Sequence, residues 1–253
     1  MISERSFAGS FDSFWRELLP LLTPRFVSLF NEGYETTLHD GSGQELSVLP
    51  VVAGMKHPDI VAEFAFRLAR TAHVQGMTMG KLRGEKALVE AAQLEAFELI
   101  QRYEGGQPTE IVPLSESEKS EGLRLAERYE ALYAAFPADS VVQYCPTFPG
   151  AGFLNSSEGD IAIGTCLVEV KTTTRRLAGK DIRQLIVYLA LDATAGSSRW
   201  SDIAIFNPRR GTLHRAKVDS LVLRLSGGKP RSDVFAELVA FAESNEPAFE
   251  RKF

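Results

Sequence analysis

Residues 158–171 read EGDIAIGTCLVEVK, the pattern of two short strands joined by a Gly-Thr turn. Because side chains alternate between the faces of a strand, Glu169 and Lys171 are expected on one face of the second strand, and Val168 and Val170 on the other. Asp160 heads the first strand, and pairing of the two strands as a hairpin brings it close to Glu169. The stretch therefore predicts that two carboxylates and one ammonium group converge on one point.

This combination of side chains predicts metal-dependent chemistry on phosphate. Oxygen ligands such as those of Asp160 and Glu169 suit Mg²⁺ or Mn²⁺, which bind through one or two carboxylates plus water and substrate phosphate. Lys171 can hold the attacking water and offset the charge that grows on the phosphate in the transition state.

The segments around the hairpin predict an α/β domain with a mixed β-sheet flanked by helices. In chain order they are a helix at 115–136, strands at 141–145, 159–163 and 166–171, a helix at about 180–191, strands at 201–206 and 212–218, and a helix at 232–243. Ser115 and Glu118 form a capping-box pattern at the start of the first helix.

The sequence pattern of residues 1–112 predicts a mainly helical accessory region that contributes no catalytic residues. The pattern indicates an amphipathic helix at 11–22, a β-hairpin at 34–52 around an Asp-Gly turn, and two helices within 58–103 that are interrupted near 76–80. The run GGQPTEIVP at 105–113 is the expected boundary, so that 113–253 form the second domain.

Asp160 followed by Glu169-Val170-Lys171 resembles the motif of the PD-(D/E)xK nucleases, which include Holliday-junction resolvases, many restriction enzymes and the RecB- and Cas4-type exonucleases. The similarity continues at Gln184 and Tyr188, which look like the QxxxY motif of the RecB and Cas4 branch. It implies a restriction-endonuclease-like core in which the glutamine and the tyrosine orient the lysine and contact the DNA strand. Their i, i+4 spacing places both side chains on one side of a helix.

The family also places a glutamate on the helix before the first core strand, and four residues compete for this role here. The apolar stripe of the predicted helix puts Glu118 and Glu121 on or beside the core-facing side, while Glu127 and Glu130 face away. Glu121 is therefore favoured as a third metal ligand or proton relay, with Glu118 as the alternative.

Two features of the RecB and Cas4 branch are missing from the sequence. No histidine lies between Glu104 and Asp160, where the RecB branch carries one, and Cys145 and Cys166 cannot supply the cysteines of the Cas4 iron–sulfur cluster. The resemblance therefore covers the core motif, over about residues 115–220.

Basic side chains follow the ExK strand directly, and Arg175, Arg176, Lys180 and Arg183 are the expected DNA phosphate contacts, although they also suit a solvated helix face. The net charge of −5 at pH 7 argues against a protein that holds nucleic acid by bulk electrostatics alone. We therefore expect a protein partner to supply part of the DNA affinity, as in a repair or anti-phage defence complex.

The sequence as a whole predicts a cytoplasmic, Mg²⁺- or Mn²⁺-dependent DNA nuclease without a membrane segment. No run approaches the ~18 apolar residues of a spanning helix, and the first residues lack the basic and apolar regions of a secretory signal. The alternative is a non-catalytic nucleic-acid-binding or scaffold module that keeps the nuclease fold. A homo-oligomer is also compatible with the class, since several such nucleases act as dimers.

Overall fold

The computed structural model describes residues 1–103, 113–196 and 199–244. Helices in these ranges are α1 (Glu4–Gly9), α2 (Asp12–Leu18), α3 (Pro24–Gly33), α4 (Pro58–Val74), α5 (Met79–Leu82), α6 (Lys86–Tyr103), α7 (Glu116–Glu127), α8 (Tyr129–Ala134), α9 (Gly179–Thr194), α10 (Val218–Leu225) and α11 (Arg231–Ser244). Strands are β1 (Glu35–Thr37), β2 (Val142–Tyr144), β3 (Thr147–Phe148), β4 (Ser157–Glu158), β5 (Ile161–Ile163), β6 (Cys166–Val170), β7 (Asp202–Asn207) and β8 (Thr212–Lys217).

Six strands form one mixed sheet in the order β1-β8-β7-β6-β5-β2. Strands β6 and β7 run parallel, and the other four neighbouring pairs are antiparallel. The predicted hairpin is the β5–β6 pair, in which Ile161 lies opposite Val168 and Ile163 opposite Cys166. The predicted α/β class with a mixed central sheet is thus confirmed, while β3 and β4 pair separately.

Helices cover both faces of this sheet, and the alternation of β6 decides which side chain meets which layer. Leu167 packs into a core with α9 and with the aromatic side chains of α1 and α2. Val168 points to the opposite face, where it packs with Tyr129 and Leu132 of α8. The predicted alternation along β6 is therefore confirmed.

A third core lies among α4, α6 and α7, and α4 connects it to the sheet. Phe64 of α4 is fully buried between these helices together with Ala96 and Leu125. Phe66, two residues on, belongs instead to the layer that covers the sheet. One helix thus contacts both the bundle and the sheet.

Local sequence signals located most of the helices. The capping box at Ser115 is present, with Ser115 N donating to Glu118 at 2.9 Å, and the interruption near 76–80 separates α4 from α5. Helices α1, α3, α5 and α10 were not predicted. The predicted hairpin at 34–52 is shortened to residues 38–46, because β1 pairs with β8 instead. In the short hairpin His39 bridges Glu45, Leu46 N donates to Leu38 O at 2.8 Å, and Asp40 N donates to Gln44 O at 2.9 Å.

The first 37 residues belong to the same sheet and core as the second half of the chain. Glu35 in β1 lies opposite His214 in β8, and Phe7 and Trp15 lie in one core with α9. Apart from Pro113, the expected boundary at 105–113 lies outside the described residues, as do residues 245–253. None of the helices in the described ranges combines the length and hydropathy needed to cross a membrane.

Candidate active site

Asp160 and Glu169 lie together at one end of the β5–β6 hairpin. Because Ile161 pairs with Val168, the next residues outward along the two strands are Asp160 and Glu169. Asp160 Oδ2 accepts a hydrogen bond from Val170 N at 2.6 Å, which ties the aspartate to the edge of β6. The structure therefore brings the two predicted carboxylates together.

Lys171 joins this carboxylate pair to helix α9. Its Nζ donates to Glu169 Oε1 at 2.7 Å and to Gln184 Oε1 at 2.8 Å. The amide nitrogen of Gln184 donates in turn to the Tyr188 hydroxyl at 3.0 Å. Four of the predicted site residues thus form one continuous hydrogen-bonded chain, with the glutamine accepting from the lysine and donating to the tyrosine.

Tyr188 takes part in this chain from a buried position. Only 2% of the residue is exposed, its ring stacks on Phe148 with centroids 4.9 Å apart, and it is not among the side chains that line the adjacent cavity. Its geometry suits the orientation of Gln184 and Lys171 better than direct contact with a DNA strand.

The two carboxylates repel each other in a setting with little water. Burial, and then the negative charge of Glu169, raise the pKa of Asp160 to about 8. Glu169 is 1% exposed, and its Oε2 is buried without a hydrogen-bond partner among the described residues. A cation between Asp160 and Glu169 would reduce the repulsion of the two carboxylates and would give the buried Oε2 of Glu169 a partner.

These residues fit a divalent cation of the Mg²⁺ class, which needs one or two carboxylates and keeps several waters. The described parts of the chain contain no group of three or more His, Cys, Asp or Glu side chains arranged to hold a metal ion. The chain therefore offers two carboxylate ligands, and water or substrate oxygens would complete the coordination.

A cavity of about 640 Å³ opens over this cluster. Asp160, Lys171 and Gln184 form one side of it, and Asp59 and Glu63 of α4 line it from the helical region. Residues before position 104 are thus part of the wall of the site, although the sequence predicted an accessory region without chemistry.

Glu121 and Glu118 do not join the cluster, although the sequence favoured them as further site residues. Glu121 pairs with the buried Arg209 and accepts a hydrogen bond from Val52 N at 2.8 Å. Both glutamates point to the core side, as the periodicity predicted, but α7 packs there on α4 and on the segment that precedes α4. The apolar periodicity of a helix predicts which of its faces is buried, but it does not predict which element packs against that face.

The hydrogen bonds of Glu118 explain its local role. Its Oε1 accepts from Lys56 N at 3.0 Å and from His57 N at 3.1 Å, and its Oε2 accepts from Ser115. Burial favours the neutral acid, but these hydrogen bonds outweigh it and lower the pKa of Glu118 to about 2. The carboxylate therefore fixes the start of α4 against α7.

The four predicted phosphate contacts separate into two groups. Arg175 and Lys180 line the cavity, and Arg175 also forms a bidentate pair with Asp181 at 2.7 and 2.8 Å. Arg183 instead reaches α2, where it donates to Asp12 at 3.2 Å and lies over the Trp15 ring. Arg176 is exposed and does not line the cavity.

Two residues of α1 belong to the site and were missed from the sequence. Glu4 Oε1 lies 3.3 Å from Gln184 Nε2 and 3.2 Å from the Tyr188 hydroxyl. Arg5 lines the cavity beside Asp160. A six-residue helix shows no clear periodicity, and a contact across about 180 positions leaves no local signal, so residue spacing could not find this pair.

The chain matches no protein-family model and no curated protein by sequence. The chemistry of the site is therefore argued from its own geometry.

Proposed function

We propose that this chain is a metal-dependent deoxyribonuclease of the PD-(D/E)xK type, which hydrolyses phosphodiester bonds. The observation that carries the proposal is the continuous hydrogen-bonded chain of Glu169, Lys171, Gln184 and Tyr188 beside Asp160. Asp160, Lys171 and Gln184 line an open cavity. An ExK on an exposed strand would be unremarkable, but a buried one linked to the next helix through a glutamine suits catalysis.

Asp160 and Glu169 would hold the Mg²⁺ or Mn²⁺ ion, and the ion would supply Lewis-acid stabilisation of the phosphate oxygens. Lys171 has three N–H donors, of which Glu169 and Gln184 accept two. Within the described part of the chain the third has no acceptor, so it is available to a water molecule or a phosphate oxygen. Lys171 therefore positions the attacking water and stabilises negative charge in the transition state.

Gln184 and Tyr188 act as positioning residues in this mechanism. Gln184 is 2% exposed and holds the ammonium group of Lys171 through its amide oxygen. Tyr188 fixes the other end of the same amide. A lysine with a long flexible side chain is thereby restricted to one position before substrate binds.

The DNA-binding part of the proposal relies on Arg175 and Lys180, which line the cavity. Because the whole chain carries a net charge of −5, we propose that a protein partner supplies further affinity for DNA. A repair or defence complex in the cytoplasm is the setting that suits such a subunit.

The test is cleavage of supercoiled plasmid and of labelled single- and double-stranded oligonucleotides with Mg²⁺, Mn²⁺ or EDTA. Asp160→Asn and Lys171→Met are expected to reduce metal-dependent cleavage by about 100-fold or more, since each removes a group that acts on transition-state charge. Lys119→Ala, on the exposed side of α7, is the matched control. Cleavage that persists in EDTA or in both variants would argue against this nuclease site, and metal-dependent binding without cleavage would favour the scaffold alternative.

A further inference from the structure

Helix α1 is fixed firmly against the candidate site. Ile2 N donates to Phe153 O at 2.9 Å, and Asn155 N donates to Ile2 O at 3.0 Å. Phe7 is fully buried, and its carbonyl accepts from Trp15 Nε1 at 3.0 Å. Glu4 and Arg5 lie between these two anchors and are therefore held at a defined place over α9.

Glu4 contacts the same residues that position Lys171. Its Oε1 lies within hydrogen-bond distance of the Gln184 amide and the Tyr188 hydroxyl. Both partners are neutral groups that can donate a hydrogen bond to its carboxyl group. This arrangement fixes the backbone position from which the next side chain, Arg5, enters the cavity.

Arg5 shares the cavity with Asp160 and Lys171 and has a free guanidinium. Among the described residues, no carboxylate forms a direct ion pair with it. The residue is accessible to solvent, although neighbouring atoms crowd its guanidinium. Burial of the group would lower the pKa of Arg5, but the negative charges of Glu169 and Asp160 outweigh it and raise that pKa. The guanidinium thus interacts with both carboxylates through space and keeps its N–H donors available.

We propose that Arg5 is a substrate-contacting residue of this site, whose charge acts through space on the Asp160–Glu169 pair while no cation is bound and whose guanidinium binds the substrate phosphate once a cation occupies that pair. This inference rests on the proposed nuclease function and adds a residue to it. The planar guanidinium suits a phosphate because two parallel N–H groups match two phosphate oxygens. Glu4 is the positioning residue that holds α1 on Gln184 and Tyr188.

The proposal predicts that loss of the Arg5 charge changes the affinity for Mn²⁺ and the affinity for an oligonucleotide in opposite directions. Arg5→Gln removes a positive charge that competes with the cation, so Mn²⁺ is expected to bind about 3- to 10-fold more tightly. The same variant loses a charged phosphate contact, so a labelled oligonucleotide in Ca²⁺ is expected to bind about 10-fold more weakly. Arg5→Lys keeps the charge and loses the planar fork, so it should retain wild-type Mn²⁺ affinity and bind the oligonucleotide more weakly.

The experiment is calorimetric titration of the full chain with Mn²⁺, and anisotropy of the oligonucleotide in Ca²⁺, for wild type, Arg5→Gln, Arg5→Lys and Arg16→Gln. Arg16 is an exposed arginine of α2 and serves as the control that changes neither affinity. Unchanged Mn²⁺ or oligonucleotide affinity in Arg5→Gln, or faster cleavage by that variant, would overturn the proposal. A wild type that binds no Mn²⁺ would instead overturn the proposed function, and this inference with it.

Discussion

Asp160 holds its proton to a higher pH in the folded chain than in the unfolded chain. Burial and the neighbouring Glu169 raise its pKa from 3.8 to about 8. Between these values the folded state binds more protons than the unfolded state, so this residue makes the free energy of unfolding fall as pH rises. The carboxylate pair is thus kept at the expense of stability, as is common for groups with a chemical role.

Asp160→Asn is expected to be more stable than wild type at pH 8, by on the order of 2 kcal/mol, because the variant removes a charge that the fold disfavours. The difference should shrink as the pH falls and disappear below the unfolded-state pKa of 3.8, where the wild-type carboxyl is protonated in both states. Urea unfolding in EDTA at several pH values measures this, with the exposed Asp139→Asn as control. If Asp160→Asn lowered the free energy of unfolding by the same amount at every pH, that result would contradict the effect assigned to the Asp160 charge.

Tyr188→Phe tests whether the tyrosine positions Lys171 or contacts DNA. The variant keeps the ring that stacks on Phe148 but removes the hydroxyl that receives the Gln184 amide. We expect kcat to fall about tenfold with little change in KM, and stability to change by only about 1 kcal/mol. Steady-state kinetics on an oligonucleotide decides the matter, and a rise in KM alone would indicate direct DNA contact.

At the scale of side chains, the site was predictable where its residues lie close in sequence. The alternation of β6 placed Glu169 and Lys171 on one face, and the i, i+4 spacing placed Gln184 and Tyr188 on one side of α9. Glu4 and Arg5 could not be found in this way, because their place depends on the packing of Phe7 against distant residues.

At the scale of helices and strands, the crossing of α4 and α7 depends on one glycine. A Cβ at Gly122 would overlap the ring of Phe64 on α4, so the two helices approach each other at a point where any side chain is too large. Gly122 is in the interior of α7, where alanine would otherwise favour the helix by about 1 kcal/mol.

Gly122→Ala is therefore expected to lower the free energy of unfolding by about 1–3 kcal/mol, since overpacking outweighs the gain in helix propensity. Gly33→Ala, at the end of α3 with no atom near its Cβ position, should be neutral or slightly stabilising. Denaturant unfolding of both variants measures the contrast. A stabilised Gly122→Ala protein would show that α4 and α7 can move apart without loss.

Sequence patterns predicted the helices and strands whose apolar side chains repeat at regular intervals along the chain. The apolar stripe and capping box identified the α7 helix, and the alternation identified the β5–β6 hairpin. Strand β1 was assigned to a hairpin because an Asp-Gly turn follows it, yet it pairs with β8, some 180 residues away. Strand partners across such a distance are chosen by tertiary packing, which a local pattern does not contain.

At the scale of the whole molecule, an aromatic cluster joins the first helices to the last. Phe7 lies within 5.1–6.1 Å of the ring centroids of Trp15, Phe153 and Phe241, which belong to three separate parts of the chain. The same cluster holds α1, and with it Glu4 and Arg5, at the site. Stability and site assembly are therefore connected through Phe7.

Phe7→Ala is expected to lower the free energy of unfolding by about 3–5 kcal/mol, the usual result of emptying a buried aromatic position. Because α1 would detach first, amide hydrogen exchange should rise in α1 before it rises in β6. Exchange measured by mass spectrometry checks this order. Uniform loss of protection in both elements would mean that α1 and the sheet unfold as one unit.

The pairing of β1 with β8 also sets an order of events during synthesis. The ribosome adds residues at about 5–20 per second, so residues 35–37 wait for roughly 9 to 35 seconds before residues 212–217 emerge and can pair with them. Glu4 and Arg5 wait in the same way for α9. A nascent chain of this protein consequently lacks an assembled candidate site until most of it has left the ribosome.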